Sequence, residues 1–367
     1  FHNFKNIETL KNPNFLHPND KSKFMHHFYK NRRKELNIFM ENEKPLYGKY
    51  SFDSENRKKL PKGILIPAAL CYENRYINEA RIYAKRFETV GDDEVFNYPT
   101  TFEEASLQLD YFIKEKFHNF GSYQDAITKD EKLVYLFHSN ISSSLNIGLL
   151  DLEEVISKIK TANAPYNAKE GFIRQIIGWR EFMLKIYEDD GIKLRNSNFF
   201  EFKNKMPKAI VEGKRGIKIV DDVMNKVNKT AYAHHIERLM ILGNIFLLLE
   251  IKPNDVNEYF MKNYIDAYDW VMVGNVYGMS GFSDGGSITT KPYIASSNYL
   301  IKMSDYSKKD EWCKIVDGLY WRFLDKYSYL FKNNPRMKMQ IAILNKMSKD
   351  KLQAHIQTAE KFIEKLF

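Results

Sequence analysis

Apolar residues recur at intervals of three and four over long stretches of the chain, the spacing that aligns side chains on one face of an α-helix. Asp151 and Glu154 resemble a capping box, which predicts a helix start, and an apolar stripe follows them. The periodicity predicts further helices over about 167–187, 231–250, 254–270 and 349–366. Because no alternating series of strands and helices is evident, the chain is predicted to be mainly α.

Two places interrupt this pattern. Glycines and a proline punctuate the segment from Val271 to Tyr293, which predicts a long loop of the kind that is often functional. The tripeptide Pro61-Lys62-Gly63 follows a polar, basic stretch and predicts a boundary. The expected division is therefore between residues 1–60 and residues 61–367.

The charge balance favours an anionic partner. The chain has 56 Lys and Arg against 47 Asp and Glu, a formal net charge of +9, and basic residues recur between Lys203 and Lys218, including Lys214-Arg215. Such an excess suits nucleic acid or a phosphate-bearing cofactor, although general solubility accounts for it equally well.

The cysteines and the longest apolar run indicate in which compartment the protein is located. Cys71 and Cys313 are the two cysteines in the sequence, which argues against a disulfide framework and indicates a reducing, cytoplasmic compartment. The longest apolar run, Ile241 to Ile251, is too short to span a bilayer, so no membrane association is expected.

The common nucleotide and zinc signatures are absent from the sequence, and no metal site is predicted. His234-His235 is the most informative pair. Adjacent helical residues point about 100° apart, which disfavours shared metal ligation. One histidine could act as a general acid while the other packs in the core, and ordinary packing of both remains an alternative. Arg238 lies about one turn further on, where Asp266 is a possible ion-pair partner.

Two other segments carry candidate binding groups. Trp179-Arg180-Glu181 places charges inside an apolar helix, which suggests hydrogen bonding to a ligand unless this is a solvated flank. The hydroxyl-rich stretch around Ser139 and Ser142 precedes a helix and could hold phosphate oxygens, although such clusters are also ordinary caps.

Taken in order, these segments resemble one family. The matching strings are GSYQDA at 121–126, the stretch 139–148, GWREF at 178–182, residues 231–244, DAYDW at 266–270 and NVYGMS at 275–280. They resemble the prokaryotic 6-4 photolyase and iron–sulfur bacterial cryptochrome branch of the photolyase/cryptochrome superfamily. The resemblance runs from near Ser51 to Met337 and therefore covers most of the chain.

This resemblance implies a helical FAD-binding domain of photolyase type over residues 61–367. Residues 1–60 correspond to the remnant of an α/β antenna domain and its linker. The residues that it assigns to FAD binding are Tyr123, Ser139, Ser142, Trp179, Arg238, Asp266 and Asn275. Those that it assigns to catalysis are His235 as the acid, His234 as its support, and Glu181, which with Trp179 borders the lesion pocket.

The chain departs from the branch in two respects. Members of this branch usually carry four cysteines that bind a 4Fe–4S cluster, and the matching positions here are Ile219, Ser307 and Asp310, with only Cys313 near the fourth. One thiolate cannot hold a cluster that needs four, so no cluster is predicted. Most of the antenna domain is also missing, and the resemblance gives no support for an antenna chromophore.

The implied function is light-driven repair of UV-induced pyrimidine lesions, above all 6-4 photoproducts, by electron transfer from reduced FAD under blue light. The implied partner is UV-damaged DNA, and a monomer is expected. Two alternatives remain at this point. The first is a cryptochrome-like blue-light sensor, and the second is a flavin-free helical module that binds nucleic acid.

Overall fold

The computed structural model describes residues 15–16, 18–87, 91, 95–214 and 216–367. The first 14 residues of the predicted antenna remnant and Arg215 of the basic stretch therefore lie outside the described residues. α-Helices dominate the described part of the chain, which confirms the mainly α prediction. The chain divides into two compact units, one of residues 1–58, 62–124 and 135–189 and one of residues 59–61, 125–134 and 190–367. The boundary expected at residue 60 stays a prediction.

The first unit holds a small hairpin and eight helices among its described residues. The hairpin pairs β1 (Met40–Glu41) with β2 (Lys44–Pro45) in antiparallel fashion. The helices are α1 (Met25–Glu35), α2 (Arg75–Ala84), α3 (Phe102–Tyr111), α4 (Phe117–Tyr123), α5 (Ser142–Asn146), α6 (Leu152–Thr161), α7 (Tyr166–Ile173) and α8 (Glu181–Arg195), the last of which runs on into the second unit. A π-helical segment, Arg174–Arg180, joins α7 to α8.

The core of the first unit is aromatic. The Phe112 ring, in the π-helical segment just after α3, meets rings of α4 and α7 edge to face or tilted, and its centroid lies 5.3 Å from that of Phe172. Gly121 allows α4 to approach α7 closely, because a Cβ at this position would lie 2.4 Å from the Ala168 nitrogen. A buried carboxylate then ties the N-terminal segment to this core. Glu170 accepts hydrogen bonds from the Tyr29 hydroxyl at 2.9 Å and from the Phe52 amide at 2.9 Å.

Helices also build the described part of the second unit. They are α9 (Lys208–Val211), α10 (Lys218–Thr230), α11 (Asn244–Leu248), α12 (Pro253–Asn263), α13 (Asp269–Val273), α14 (Ser297–Met303), α15 (Trp312–Phe331), α16 (Lys338–Lys346) and α17 (Lys349–Leu366). Two π-helical segments, Glu237–Gly243 and Gly274–Ser280, precede α11 and follow α13. Helices α15 and α17 pack closely at Gly318, where a Cβ would lie 2.8 Å from the His355 carbonyl oxygen.

Several helix predictions are confirmed and others are corrected. The Asp151 side chain accepts a hydrogen bond from the Glu154 amide and caps α6 as expected. The last helix has the predicted bounds, and the helix predicted over 167–187 is longer than expected because α7 continues through a π-helical segment into α8. The helix predicted over 254–270 ends at Asn263.

The segment from Val271 was predicted to be a loop, and that prediction is wrong over its first half, which is helical as far as Ser280. Gly278 serves packing rather than a turn, since a Cβ at this position would lie 2.0 Å from the Ile288 side chain. The irregular part begins at Gly281. None of the helices in the described ranges combines the length and the apolar character needed to cross a membrane.

Candidate functional site

The histidine pair lies at the beginning of a helix of the second unit. The periodicity predicted a helix from Ala231, but Ala231 has a left-handed backbone (φ 52°) that ends α10, and Tyr232 to His234 are not helical. This correction matters because the two imidazoles are then not held at helical spacing. The His234 side chain is buried, whereas the His235 side chain is 43% exposed.

Asp125 orients His235. The Nε2 atom of His235 lies 3.2 Å from Oδ1 of Asp125, a nearly buried carboxylate of the same unit. A carboxylate at this position holds one ring nitrogen in place and leaves Nδ1 available to a reacting group. Asp125 belongs to the string at 121–126 that carried the family resemblance, but the sequence alone assigned it no role.

His234 is neutral at pH 7. Burial lowers its pKa well below the ordinary value, and the neighbouring His235, Lys226 and Arg238 lower it further. Its backbone amide donates to Oε2 of Glu237 at 3.2 Å, and Glu237 also forms a buried ion pair with Lys226. The structure therefore gives His234 the place of a packed, uncharged neighbour of His235.

Arg238 and Asp266 are brought together as the sequence suggested. Two nitrogens of the guanidinium donate to the two carboxylate oxygens at 2.9 and 3.1 Å, and Nε donates to the Ala233 carbonyl at 2.6 Å. The guanidinium also lies 4.3 Å from the centroid of the Tyr264 ring. Burial lowers the pKa of Arg238, but the charge and hydrogen bonds of Asp266, together with Tyr264 and Tyr232, raise it overall, so the pair is ionic.

Asn275 lies in the π-helical segment after α13. Its side-chain amide donates to the carbonyl of Val271 at 2.8 Å, and the residue is half-buried. This bond orients the side chain within its own helix.

The residues assigned to the phosphate side of FAD lie in the first unit. Tyr123, Ser139 and Ser142 are all half-buried. The Tyr123 ring lies 5.7 Å from the ring of Phe137, which brings the phenol close to the chain that leads to Ser139. Ser142 is the first residue of α5, and the carbonyl of Ser139 is fixed by the Gln108 amide at 2.7 Å. Partly exposed hydroxyls on an anchored segment fit phosphate oxygens as ligands.

Glu181 is covered by the N-terminal segment. The Leu16 amide donates to its Oε2 atom at 3.0 Å, and the Arg180 guanidinium lies 3.6 Å from Oε1 and 3.8 Å from the centroid of the Phe15 ring. Burial lowers the pKa of Arg180 to about 10, and Glu181 opposes that shift. The neighbouring Trp179 is half-buried and contacts the Phe182 ring edge to face. In this arrangement the Glu181 carboxylate is withdrawn from solvent.

The four positions that match cluster cysteines do not fit an iron–sulfur cluster. Ile219 is a buried alkyl side chain of α10, and Asp310 accepts hydrogen bonds from the Ser307 amide at 3.1 Å and from Trp312 Nε1 at 3.3 Å. Cys313 contacts the Ser307 carbonyl, with 3.6 Å between sulfur and oxygen. Within the described ranges no group of three or more His, Cys, Asp or Glu side chains could hold a metal ion.

The basic residues between Lys203 and Lys218 are exposed where they are described. Lys203, Lys205 and Lys214 have exposed side chains, and the exposed Lys218 side chain pairs at 2.9 Å with the carboxylate of Asp222, which is buried. Mobile, hydrated cations of this kind are suited to phosphate contacts.

Comparisons with known proteins agree with the family resemblance of the sequence motifs. The family described as deoxyribodipyrimidine photo-lyase-related protein matches residues 7–98. A (6-4) photolyase of Agrobacterium fabrum is 37% identical over 366 residues, which cover 94% of this chain and 71% of the relative. An uncharacterized protein of Acanthamoeba polyphaga mimivirus is 51% identical over 85 residues, 23% of this chain and 69% of the viral protein.

A bacterial class III photolyase from Agrobacterium tumefaciens is a similar solved structure. The two share 19% sequence identity at a TM-score of 0.47, and the match covers 72% of this chain and 56% of that one. The long alignment with the (6-4) photolyase decides the classification: the chain belongs to the photolyase/cryptochrome family. The resemblance inferred from the ordered motifs is thereby confirmed.

Proposed function

We propose that the protein is a light-driven DNA-repair enzyme that acts on UV-induced pyrimidine lesions, with 6-4 photoproducts as its preferred substrate. The observation that carries this proposal is the partly exposed His235 imidazole held by the buried Asp125 carboxylate. Such a pair provides a positioned general acid, as the repair of a lesion with a transferred hydroxyl requires.

The residues that the family resemblance assigns to the cofactor suit FAD. Tyr123, Ser139 and Ser142 would hold its phosphates through their hydroxyls, and the Arg238–Asp266 pair would lie beside its ring system. FAD supplies the light-driven electron transfer to the lesion when it is bound. Each of these side chains has a polar group suited to that part of the cofactor, which supports the cofactor assignment.

Side chains of the protein, rather than the cofactor, would supply the proton for the reaction. Asp125 holds Nε2 of His235, so that a proton on Nδ1 can be donated to the lesion. The neutral state of His234 keeps a second positive charge away from His235. A lesion would reach His235 as an extruded base, while exposed lysines contact the backbone.

An oligonucleotide with a single 6-4 photoproduct tests the proposal. Under blue light the purified protein with FAD should restore the intact bases, and in the dark it should not. His235→Ala should abolish restoration while the flavin absorption spectrum is retained, and the exposed His118→Ala serves as the control. Full repair by His235→Ala would show that His235 is not the proton donor. A colourless protein that does not bind FAD would instead support the flavin-free nucleic-acid module.

The burial of Glu181 supports a second candidate, a cryptochrome-like light sensor. The carboxylate assigned to the lesion is covered by residues 15–16, an arrangement that a sensor without a lesion substrate would never need to open. Flavin photochemistry without restoration of either a 6-4 photoproduct or a cyclobutane dimer would decide for the sensor.

A further inference from the structure

The imidazole of His234 shares its surroundings with a buried ion pair of the second unit. Glu237 is 1% exposed and Lys226 is 6% exposed, and their side chains join the π-helical segment after His235 to helix α10. Burying two charges is often less favourable than burying two apolar side chains of similar size. A buried pair beside a candidate site therefore suggests a role in the chemistry of that site.

The Glu237 carboxylate lies between a lysine and a histidine. Its Oε1 atom pairs with Lys226, while its Oε2 atom accepts the His234 amide at 3.2 Å and lies 3.7 Å from Nε2 of the His234 ring. Among the described residues, these are the two basic side chains within ion-pair distance of Glu237. One carboxylate thus has two potential cations, and an imidazole is a cation only after it takes up a proton.

The other groups around this carboxylate do not compensate its charge. Tyr264 and Tyr306 are close enough to feel the charge of Glu237, but burial raises the pKa of both phenols, so they stay uncharged. Arg238 is already paired with a carboxylate of its own. Lys226 is therefore the cation that compensates Glu237.

The charge of His234 matters because its neighbour is the proposed proton donor. The ring centroids of His234 and His235 lie 5.9 Å apart. A proton on His234 would place a second positive charge beside the imidazole that is to donate one. Burial is the main cause that lowers the pKa of His234, and His235, Lys226 and Arg238 lower it further, whereas a hydrogen bond with the Ala126 backbone opposes them.

We propose that Lys226 is a positioning residue for the repair reaction: by compensating the charge of Glu237, it keeps His234 uncharged and leaves His235 as the proton donor. Without a cation at position 226, Glu237 would be a lone buried carboxylate 3.7 Å from the His234 ring, and the imidazole would take up a proton to pair with it. This inference rests on the proposed function, in which His235 protonates the lesion.

NMR of the full chain with nitrogen-15-labelled histidine tests the charge of His234 in the dark, without a lesion. At pH 6 the His234 ring of the unmodified protein should give the two well-separated nitrogen signals of a neutral imidazole, assigned by their absence in His234→Gln. Lys226→Gln keeps a hydrogen-bond donor but not the charge, so the two signals should move together, as they do in an imidazolium. Lys226→Arg keeps a cation and should restore the neutral pattern. A neutral His234 ring in folded Lys226→Gln overturns the proposal.

The rate of 6-4 photoproduct repair is the second readout. Lys226→Gln should lower it about tenfold or more, because a positioned general acid contributes about 10²–10⁴-fold. Lys226→Arg should regain the unmodified rate, which loss of packing alone would not explain. Lys229→Gln is the matched control, since this exposed lysine lies about one turn further along α10 and should change neither readout.

The double variant Lys226→Met/Glu237→Gln removes both charges and decides the matter if circular dichroism shows that Lys226→Gln is unfolded. Without the carboxylate His234 should stay neutral, and repair should proceed at a rate close to that of the unmodified protein. A protonated His234 ring or a tenfold loss of repair in this variant overturns the proposal. An unmodified protein that binds FAD but repairs no lesion would instead overturn the proposed function, while the NMR signals still decide whether Lys226 keeps His234 uncharged.

Discussion

The imidazole of His235 and the carboxylate of Asp125 lie 3.2 Å apart although 110 residues separate them in the chain. The acid is almost buried and the histidine is half in solvent. This asymmetry is the one that a positioned proton donor needs, because the buried partner fixes the ring while the exposed edge meets the substrate.

Replacing Asp125 by Asn should reduce the rate of lesion repair by about tenfold to a hundredfold, because the ring loses both its orientation and its counter-charge. FAD content, read from the absorption spectrum, should not change. The exposed Asp130→Asn is the control, from the same segment of the chain. Equal repair rates for Asp125→Asn and the unmodified protein would remove Asp125 from the mechanism.

His234 should make the stability of the protein depend on pH. Burial keeps the pKa of His234 in the folded chain well below its ordinary value. Below about pH 6.5 His234 is therefore protonated in the unfolded chain but stays neutral in the folded chain. The free energy of unfolding should therefore fall by up to about 1.4 kcal/mol per pH unit as the pH drops below that point.

Urea denaturation between pH 7.5 and pH 5 measures this effect. In His234→Gln the slope of the free energy of unfolding against pH should be smaller by up to about 1.4 kcal/mol per pH unit, which corresponds to one proton, because glutamine does not titrate. The exposed His118→Gln serves as the control. An identical slope in His234→Gln and in the unmodified protein would contradict the prediction.

Glu181→Gln should destabilise the protein by about 3 kcal/mol, because Arg180 would keep a buried charge without its counter-ion. Residues 15–16 should then exchange amide hydrogens faster, since Leu16 is anchored on the same carboxylate. Urea denaturation and hydrogen exchange measure both effects, with the exposed Glu188→Gln as the control. A loss of lesion affinity with unchanged stability would instead favour a direct contact between Glu181 and the lesion.

Helices with their own caps and a single apolar stripe were predictable. Helix α17 has the Ser348 side chain as its cap and α6 has Asp151, so local signals alone define where each helix begins. The beginning of the helix near His235 was not predictable in this way. The left-handed Ala231 is set by the end of α10, and alanine carries no signal for that conformation.

The candidate site shows the same distinction. Arg238 and Asp266 could be paired in advance because the family resemblance assigns both residues to the flavin ring. The contact of His235 with Asp125 depends on tertiary packing between distant segments, which residue spacing does not encode. Gly278 indicated a loop, since a glycine that turns the chain and one that lets a neighbour approach look alike in the sequence.

The region that matches the cluster site should be stable without iron. The Tyr306 hydroxyl donates to the Asp222 carboxylate of α10 at 2.5 Å, and the Tyr306 ring meets Trp312 edge to face at 5.8 Å. Burial raises the pKa of Tyr306, so it stays a donor across the usual pH range. These contacts connect the segment before α15 to α10 with no metal ligand.

Removing this hydrogen bond by Tyr306→Phe should lower the free energy of unfolding by about 1–3 kcal/mol, because the buried Asp222 carboxylate loses a donor. The exposed Tyr329→Phe should change it by less than about 0.5 kcal/mol. Iron analysis should find far less than one iron per chain, and incubation with a strong chelator should leave the melting temperature unchanged. A melting temperature that falls on chelation would mean that a metal, rather than the Tyr306–Asp222 contact, holds this segment in place.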